Sequence, residues 1–251
     1  MSEPSYLDTD SGRRIAYHVT EGRGPGVVFL GGFRSDMEGT KAIHLEAWAR
    51  ATGRAFLRFD YSGHGQSSED FLDGCIGDWA ADAVAAIRAL TVGPQVLVGS
   101  SMGGWIALLA ARAMPDKVAG LVGIAAAPDF TEDGMWAGFT EAQRTALTET
   151  GRVELPSDYS DAPYVITRRL IEDGRDHLVL RAPLALQVPV RLLQGTADAD
   201  VDVSVALRLL EHAAGDDIRL TLVKGADHRF STPDCLAAIE AAIAEVLERA
   251  G

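Results

Sequence analysis

Val96-Leu97-Val98-Gly99-Ser100-Ser101-Met102-Gly103-Gly104-Trp105 decides the fold. The three aliphatic residues at its start read as a buried strand, and the Ala- and Leu-rich stretch from Trp105 to Ala113 reads as a helix. Between them lies the spacing G-x-S-x-G. A strand-to-helix turn this tight forces strained dihedrals on its central residue, and small residues two positions to either side let neighbouring backbone come close. Ser101 then stands at the carboxyl edge of the sheet with a helix N-terminus beneath it. That dipole and the amide of Met102 favour negative charge developing on a substrate oxygen.

Outward from this turn, strand-length apolar runs alternate with stretches of helical period, the pattern of a mainly parallel sheet flanked by helices. Strands are expected at residues 14–19, 27–30, 55–59, 95–99, 118–124, 188–194 and 218–223, and helices at 38–52, 76–90, 103–113, 201–213 and 233–249. Asp8-Thr9-Asp10-Ser11-Gly12 reads as a turn joining the first of these strands to residues 6–9, so the sheet opens antiparallel. One stretch breaks the rhythm. From Pro128 to Leu186 no strand is evident, while Trp136, Phe139, Tyr159 and Tyr164 punctuate short amphipathic pieces. A segment so long is no plain loop. It is expected to be a helical lid, 128–186, inserted between core parts 1–127 and 187–251.

A serine nucleophile needs a base, and the base an orienting acid. Among six histidines, His228 follows the last strand and precedes the final helix, in a loop at the same sheet edge as Ser101. His18, His44 and His212 lie on a strand or helices, and His177 lies in the inserted segment. For the acid, Asp198 follows the turn glycine Gly195 after the penultimate strand. Asp200 is the alternative, with Asp129 a further one, while Asp202 suits a helix cap. The chain order is therefore Ser101, Asp198, His228.

This order and the G-x-S-x-G elbow resemble the α/β-hydrolase fold family over nearly the whole chain. The resemblance implies that Leu30-Gly31-Gly32-Phe33 is the oxyanion loop, with Gly31 standing where family members carry a histidine that braces it. The amides of Phe33 and Met102 would be the oxyanion donors. It also makes Asp60-Tyr61-Ser62-Gly63-His64-Gly65-Gln66-Ser67 a structural turn, with His64 architectural. More finely, Ser35-Asp36-Met37-Glu38-Gly39-Thr40-Lys41, Arg58 to Gly63 and the elbow resemble the subgroup of acyl-glucuronide esterases and protein depalmitoylases and its bacterial relatives.

The resemblance implies a serine hydrolase of carboxylic esters or thioesters of small acyl or lipid-like substrates. Met135, Trp136, Phe139 and Tyr164 are expected to line an acyl or aromatic pocket, or else to fasten the lid to the core. Arg34, with Arg168 and Arg169, is a candidate to meet an anionic leaving group, or else these arginines are simply solvated at the surface. A serine-dependent amide or C–C hydrolase on the same fold stays open, as does a ligand-binding protein that retains the triad. An Asp nucleophile, as in dehalogenases of this architecture, is disfavoured by Ser101.

Composition sets outer limits. The 251 residues carry 23 basic and 36 acidic side chains, a formal charge of −13, against docking on nucleic acid or anionic lipid. No apolar run reaches the roughly 20 residues of a membrane helix, and no basic leader precedes Ser5. Cys75 and Cys235 suit a reducing compartment, and all basic residues but Lys41, Lys117 and Lys224 are arginine. A bacterial cytosol, a monomer or homodimer, and chemistry without metal or organic cofactor are the expectations.

Overall fold

The computed structural model describes residues 3–155 and 163–250; Tyr159 lies outside them. The main sheet contains β1 (Ser5–Asp8), β2 (Arg14–Thr20), β3 (Arg23–Leu30), β4 (Arg54–Phe59), β5 (Gln95–Ser100) and β6 (Val118–Ile124). In the inserted segment come β7 (Arg152–Leu155), β8 (Tyr164–Thr167) and β9 (Leu184–Ala185). The main sheet resumes with β10 (Val190–Gly195) and, after the short β11 (Ala213–Ala214), closes with β12 (Ile218–Val223). Its order is β1-β2-β4-β3-β5-β6-β10-β12. Strands β1 and β2 pair antiparallel, as do β2 and β4, and every later pairing across the sheet is parallel.

Among the described residues, seven α-helices flank or cover the sheet: α1 (Thr40–Thr52), α2 (Ile76–Leu90), α3 (Met102–Ala113), α4 (Glu141–Thr150), α5 (Arg168–Asp176), α6 (Val203–His212) and α7 (Pro233–Ala250). The pleat of the central strands explains the two layers. Val27, Phe29, Val96 and Val98 face one side, where Leu45 of α1 and Ile239, Ile243 and Val246 of α7 cover them. Val28, Leu30 and Leu97 face the other, against Trp79 of α2 and Trp105 of α3. Both tryptophans are fully buried, so each supplies a large share of that layer's apolar burial.

Local chemistry moves some boundaries. Helix α1 starts at Thr40 because Asp36 first folds a turn, taking the Glu38 amide on Oδ1 and the Gly39 amide on its carbonyl. Helix α6 starts at Val203 because Asp202 caps it, accepting from the Ser204 amide at 2.8 Å. Pro189 delays β10 to Val190, since it has no N–H for the ladder, though its carbonyl accepts from Leu121.

The inserted segment departs from expectation. It is not wholly helical: β7 and β8 form an antiparallel pair with Val153 opposite Ile166, and residues 131–136 form a single wide helical turn. The Val165-Ile166 doublet is the sequence signal for strand there, but runs of four residues are too short for alternation to stand out. No helix among the described residues is long and apolar enough to cross a membrane.

Candidate active site

The elbow is held by contacts that only glycine permits. A Cβ on Gly103 would sit 2.0 Å from the Leu30 carbonyl oxygen, and one on Gly99 would sit 2.2 Å from that of Gly103. With both sites bare, β5 passes directly into α3, and Ser101 adopts φ 55° and ψ −119° at the turn. The Ser101 amide donates to the Ile124 carbonyl at 2.9 Å, and its own carbonyl accepts from Gly104 and Ala127. Strain gathers at this edge of the sheet: Arg34, Ala125, Asp129 and Phe230 also hold positive φ, each at a cost of about 1–3 kcal/mol that surrounding structure must offset.

His228 Nε2 lies 3.1 Å from Ser101 Oγ, and Nδ1 lies 2.9 Å from Asp198 Oδ2. The Asp198 side chain is wholly buried. Burial works to raise its carboxyl, but the hydrogen bonds from His228 and from the Val201 and Asp200 amides outweigh it and hold the group below the ordinary carboxylate range. A carboxylate can only accept, so His228 carries its proton on Nδ1 and offers a lone pair on Nε2 to the serine hydroxyl. Gln194 Nε2 adds a further 2.9 Å bond to Asp198 Oδ2. Asp200 stays beside the pair, its carboxylate within 4.8 Å of Asp198 and His228, while the other two candidate acids are engaged elsewhere. Asp129 accepts from the Val179 and Leu180 amides at 2.8 and 3.0 Å, and Asp202 caps α6.

Around the serine, the Gly31–Arg34 loop presses on the elbow. A Cβ on Gly32 would touch Ser101 Cβ at 3.5 Å. Neither the Phe33 nor the Met102 amide donates to a protein acceptor among the described residues, and Met102 opens α3, where first-turn amides have no partner within the helix. The brace that Gly31 lacks comes from elsewhere in the chain. His64 Nε2 accepts from the Arg34 amide at 3.3 Å while its Nδ1 donates to the Ser62 carbonyl at 3.2 Å. Burial drives the His64 pKa down to about 4, so the ring stays neutral and can accept. Tyr61 and Trp79 meet the same ring edge-on.

The candidate substrate residues divide. Tyr164 joins the loop: its ring lies 6.4 Å from that of Phe33, and the Arg34 guanidinium lies 5.1 Å from Tyr164 and 5.2 Å from Phe71. No carboxylate pairs with Arg34 among the described residues. Phe71 and Phe130, which the sequence reading missed, meet Phe33 at 4.9 and 5.8 Å. Both stand in short connecting turns without periodic pattern, so only their aromatic character hinted at them. Trp136 and Phe139 instead pack on each other at 6.2 Å, with Arg144 and Arg175 over the Trp136 ring. Phe139 is buried and Met135 half-buried in the core, and no ring contact ties Trp136 or Phe139 to Phe33. Arg169 is bound to Asp78 at 2.7 Å, and Arg168 pairs with Glu172.

Comparison with known proteins agrees with this fold. A family model described as the alpha/beta hydrolase family matches residues 27–251. The mitochondrial palmitoyl-protein thioesterase ABHD10 of Rattus norvegicus is 36% identical over 90% of this chain and 76% of its own length. Among solved structures, a putative hydrolase from Agrobacterium vitis S4 superposes with TM-score 0.93 at 40% identity, covering 98% of each chain. Mouse alpha/beta hydrolase domain-containing protein 10 superposes with TM-score 0.92 at 31% identity, covering 100% of each.

Proposed function

The chain belongs to the alpha/beta hydrolase family, and from that premise we propose that it is a serine hydrolase of carboxylic esters or thioesters acting through an acyl-enzyme. The observation that carries this reading is the unbroken hydrogen-bond chain from Ser101 Oγ through His228 to Asp198. In this mechanism Ser101 Oγ attacks the acyl carbon as its proton passes to His228 Nε2. The amides of Phe33 and Met102 receive the negative charge on the carbonyl oxygen. His228 then protonates the leaving alcohol or thiol, and water, deprotonated by the same nitrogen, releases the acid and regenerates the serine. Asp198 holds the imidazole in its tautomer and stabilises its cationic form.

We assign substrate selection to segment 128–186 and the loop facing it. The half-buried rings of Phe33, Phe71, Phe130 and Tyr164 offer apolar surface beside the oxyanion donor, supporting an acyl or aryl group there. Arg34, stacked on two of those rings and without a carboxylate partner among the described residues, suits an anionic leaving group. The relative's name places long-chain acyl thioesters among the substrates to try.

Initial rates on p-nitrophenyl esters from acetyl to palmitoyl, and on matching acyl thioesters, test the reading with Ser101→Ala as control. Multiple turnover is expected, with a loss on the order of 10⁴-fold or more in the variant. Wild type and variant equally inert on every substrate would overturn it.

A further inference from the structure

The run Ser35–Lys41 carries part of the family resemblance, yet nothing in the proposed mechanism uses it. Its last residue is misplaced by ordinary helix rules. Lys41 is the second residue of α1, whose first turn holds no acidic residue and whose N-cap makes no side-chain hydrogen bond. A cation at that positive end of the dipole is unfavourable. The side chain nevertheless reaches across to the histidine loop, where Nζ donates to the Arg229 carbonyl, the next residue after His228.

We propose that Lys41 is a positioning residue for His228, its ammonium clamping the histidine loop to the rigid end of the oxyanion loop. The proposal rests on the reading of His228 as the base.

Both ends of the clamp are fixed. On the α1 side, the Met37 amide donates to Asp60 Oδ1 at 2.6 Å, Arg58 Nη1 donates to the Met37 carbonyl at 3.0 Å, and Asp36 closes the turn onto Glu38 and Gly39. Phe33 stands at the head of this same unit. On the histidine side, Phe230 is fully buried at φ 49°, and its amide donates to Asp227 Oδ1 at 3.1 Å. Gly225 donates to Thr196 Oγ1 at 2.9 Å, and Ala197 to the Ala226 carbonyl at 3.0 Å. The acid loop therefore grips one flank of the His228 turn, the core grips the segment after it, and Lys41 grips its carbonyl from the oxyanion side. The bond joins positions 188 apart in sequence.

The groups around Lys41 give the clamp a pH dependence. Desolvation lowers its pKa to about 8, with Asp227 opposing the shift, Arg229 adding to it, and Cys235 of α7 opposing it weakly. One turn along α1, His44 is occupied with Glu240 of α7 at 2.6 Å. Below pH 8 the ammonium makes a charge-assisted bond; above it a neutral amine makes a weaker one. Arginine stays charged throughout this range.

The test compares kcat and KM of wild type, Lys41→Met and Lys41→Arg from pH 6 to 10, alongside long-range ¹H–¹⁵N spectra of the His228 ring. In Lys41→Met, kcat should fall about 10-fold with KM little changed, since a small misplacement of a base is costly while substrate contacts persist. Lys41→Arg should recover most of kcat at pH 7 and carry the plateau past the pH at which wild type declines. The Nδ1 proton signal of His228 should broaden or shift in Lys41→Met. Unchanged kcat in Lys41→Met, or an alkaline limb in Lys41→Arg identical to wild type, would overturn the proposal. Should Lys41→Met fail to fold, the Lys41→Arg limb decides. Were wild type as inert as Ser101→Ala, the hydrolase reading would fall, and the His228 ring signals alone would judge the clamp: unaltered, they reject it, and altered, they sustain it.

Discussion

The carboxyl edge of the main sheet and the segment above it are built on opposite principles. At the edge, each functional side chain is fixed by contacts with no slack: bare glycines against carbonyls at Gly99 and Gly103, and a buried Asp198 with both oxygens occupied. The inserted segment is held by apolar side chains buried in the core cluster, among them Phe139, Leu147, Ile166, Leu170 and Ile171, and by ion pairs at its surface. Arg175 meets Glu132 at 2.6 Å and Arg208 meets Asp133 at 2.6 Å, pairs that each contribute at most about 1 kcal/mol when exposed. Its firmer anchors reach down to the core, where Trp105 Nε1 donates to the His177 carbonyl at 3.1 Å and Asp173 accepts from the Gly77 amide at 2.7 Å. The edge is held by close backbone and polar contacts, the insert by packing and ion pairs.

This contrast is open to breakage, most severely at the acid. Asp198→Asn should lower kcat on the order of 10³–10⁴-fold with the fold retained, because an amide in that place favours the wrong imidazole tautomer; a loss below about tenfold would mean the edge tolerates error after all. His64 offers a thermodynamic measure. The unfolded imidazole takes up a proton as pH falls below 6.5, while the folded ring resists until about 4. Stability should therefore decline between those values, by of order 3 kcal/mol at pH 4 from this group alone. Urea midpoints at pH 7 and 4.5 measure it, and His64→Phe, which keeps the ring contacts without the proton, should flatten the slope. A slope unchanged by that substitution would remove His64 as its source. The smallest effect belongs to the insert. Tyr164→Ala should shift chain-length preference by about fivefold while leaving the rate of Ser101 labelling by a fluorophosphonate near wild type. Unaltered preference would take Tyr164 out of substrate selection.

The same contrast explains what the sequence made legible. Ser101, Asp198 and His228 were readable because parallel strands end together, so a residue just past each strand is delivered to one edge whatever lies between. The loop proposed to hold the oxyanion was expected from resemblance, but its brace was not. His64 and Arg34 are 30 positions apart and meet only because the turn after β4 folds back under the loop after β3. The insert was hardest. The β7–β8 pair runs four residues a side with one buried residue on each strand, too little pattern to tell from a polar helix. Phe71 and Phe130 gave no periodic cue, so the rings flanking Phe33 emerged only in three dimensions.

Asp129 has a consequence for how such a chain diversifies. Its buried carboxylate takes the Val179 and Leu180 amides and the Arg181 guanidinium, so the start of the insert is clasped to the stretch where it turns back towards the core. A change of length in an exposed turn between them alters closure entropy only logarithmically and leaves both ends where they are. The clasp thus lets the outer turns of the segment vary without moving the serine at the sheet edge.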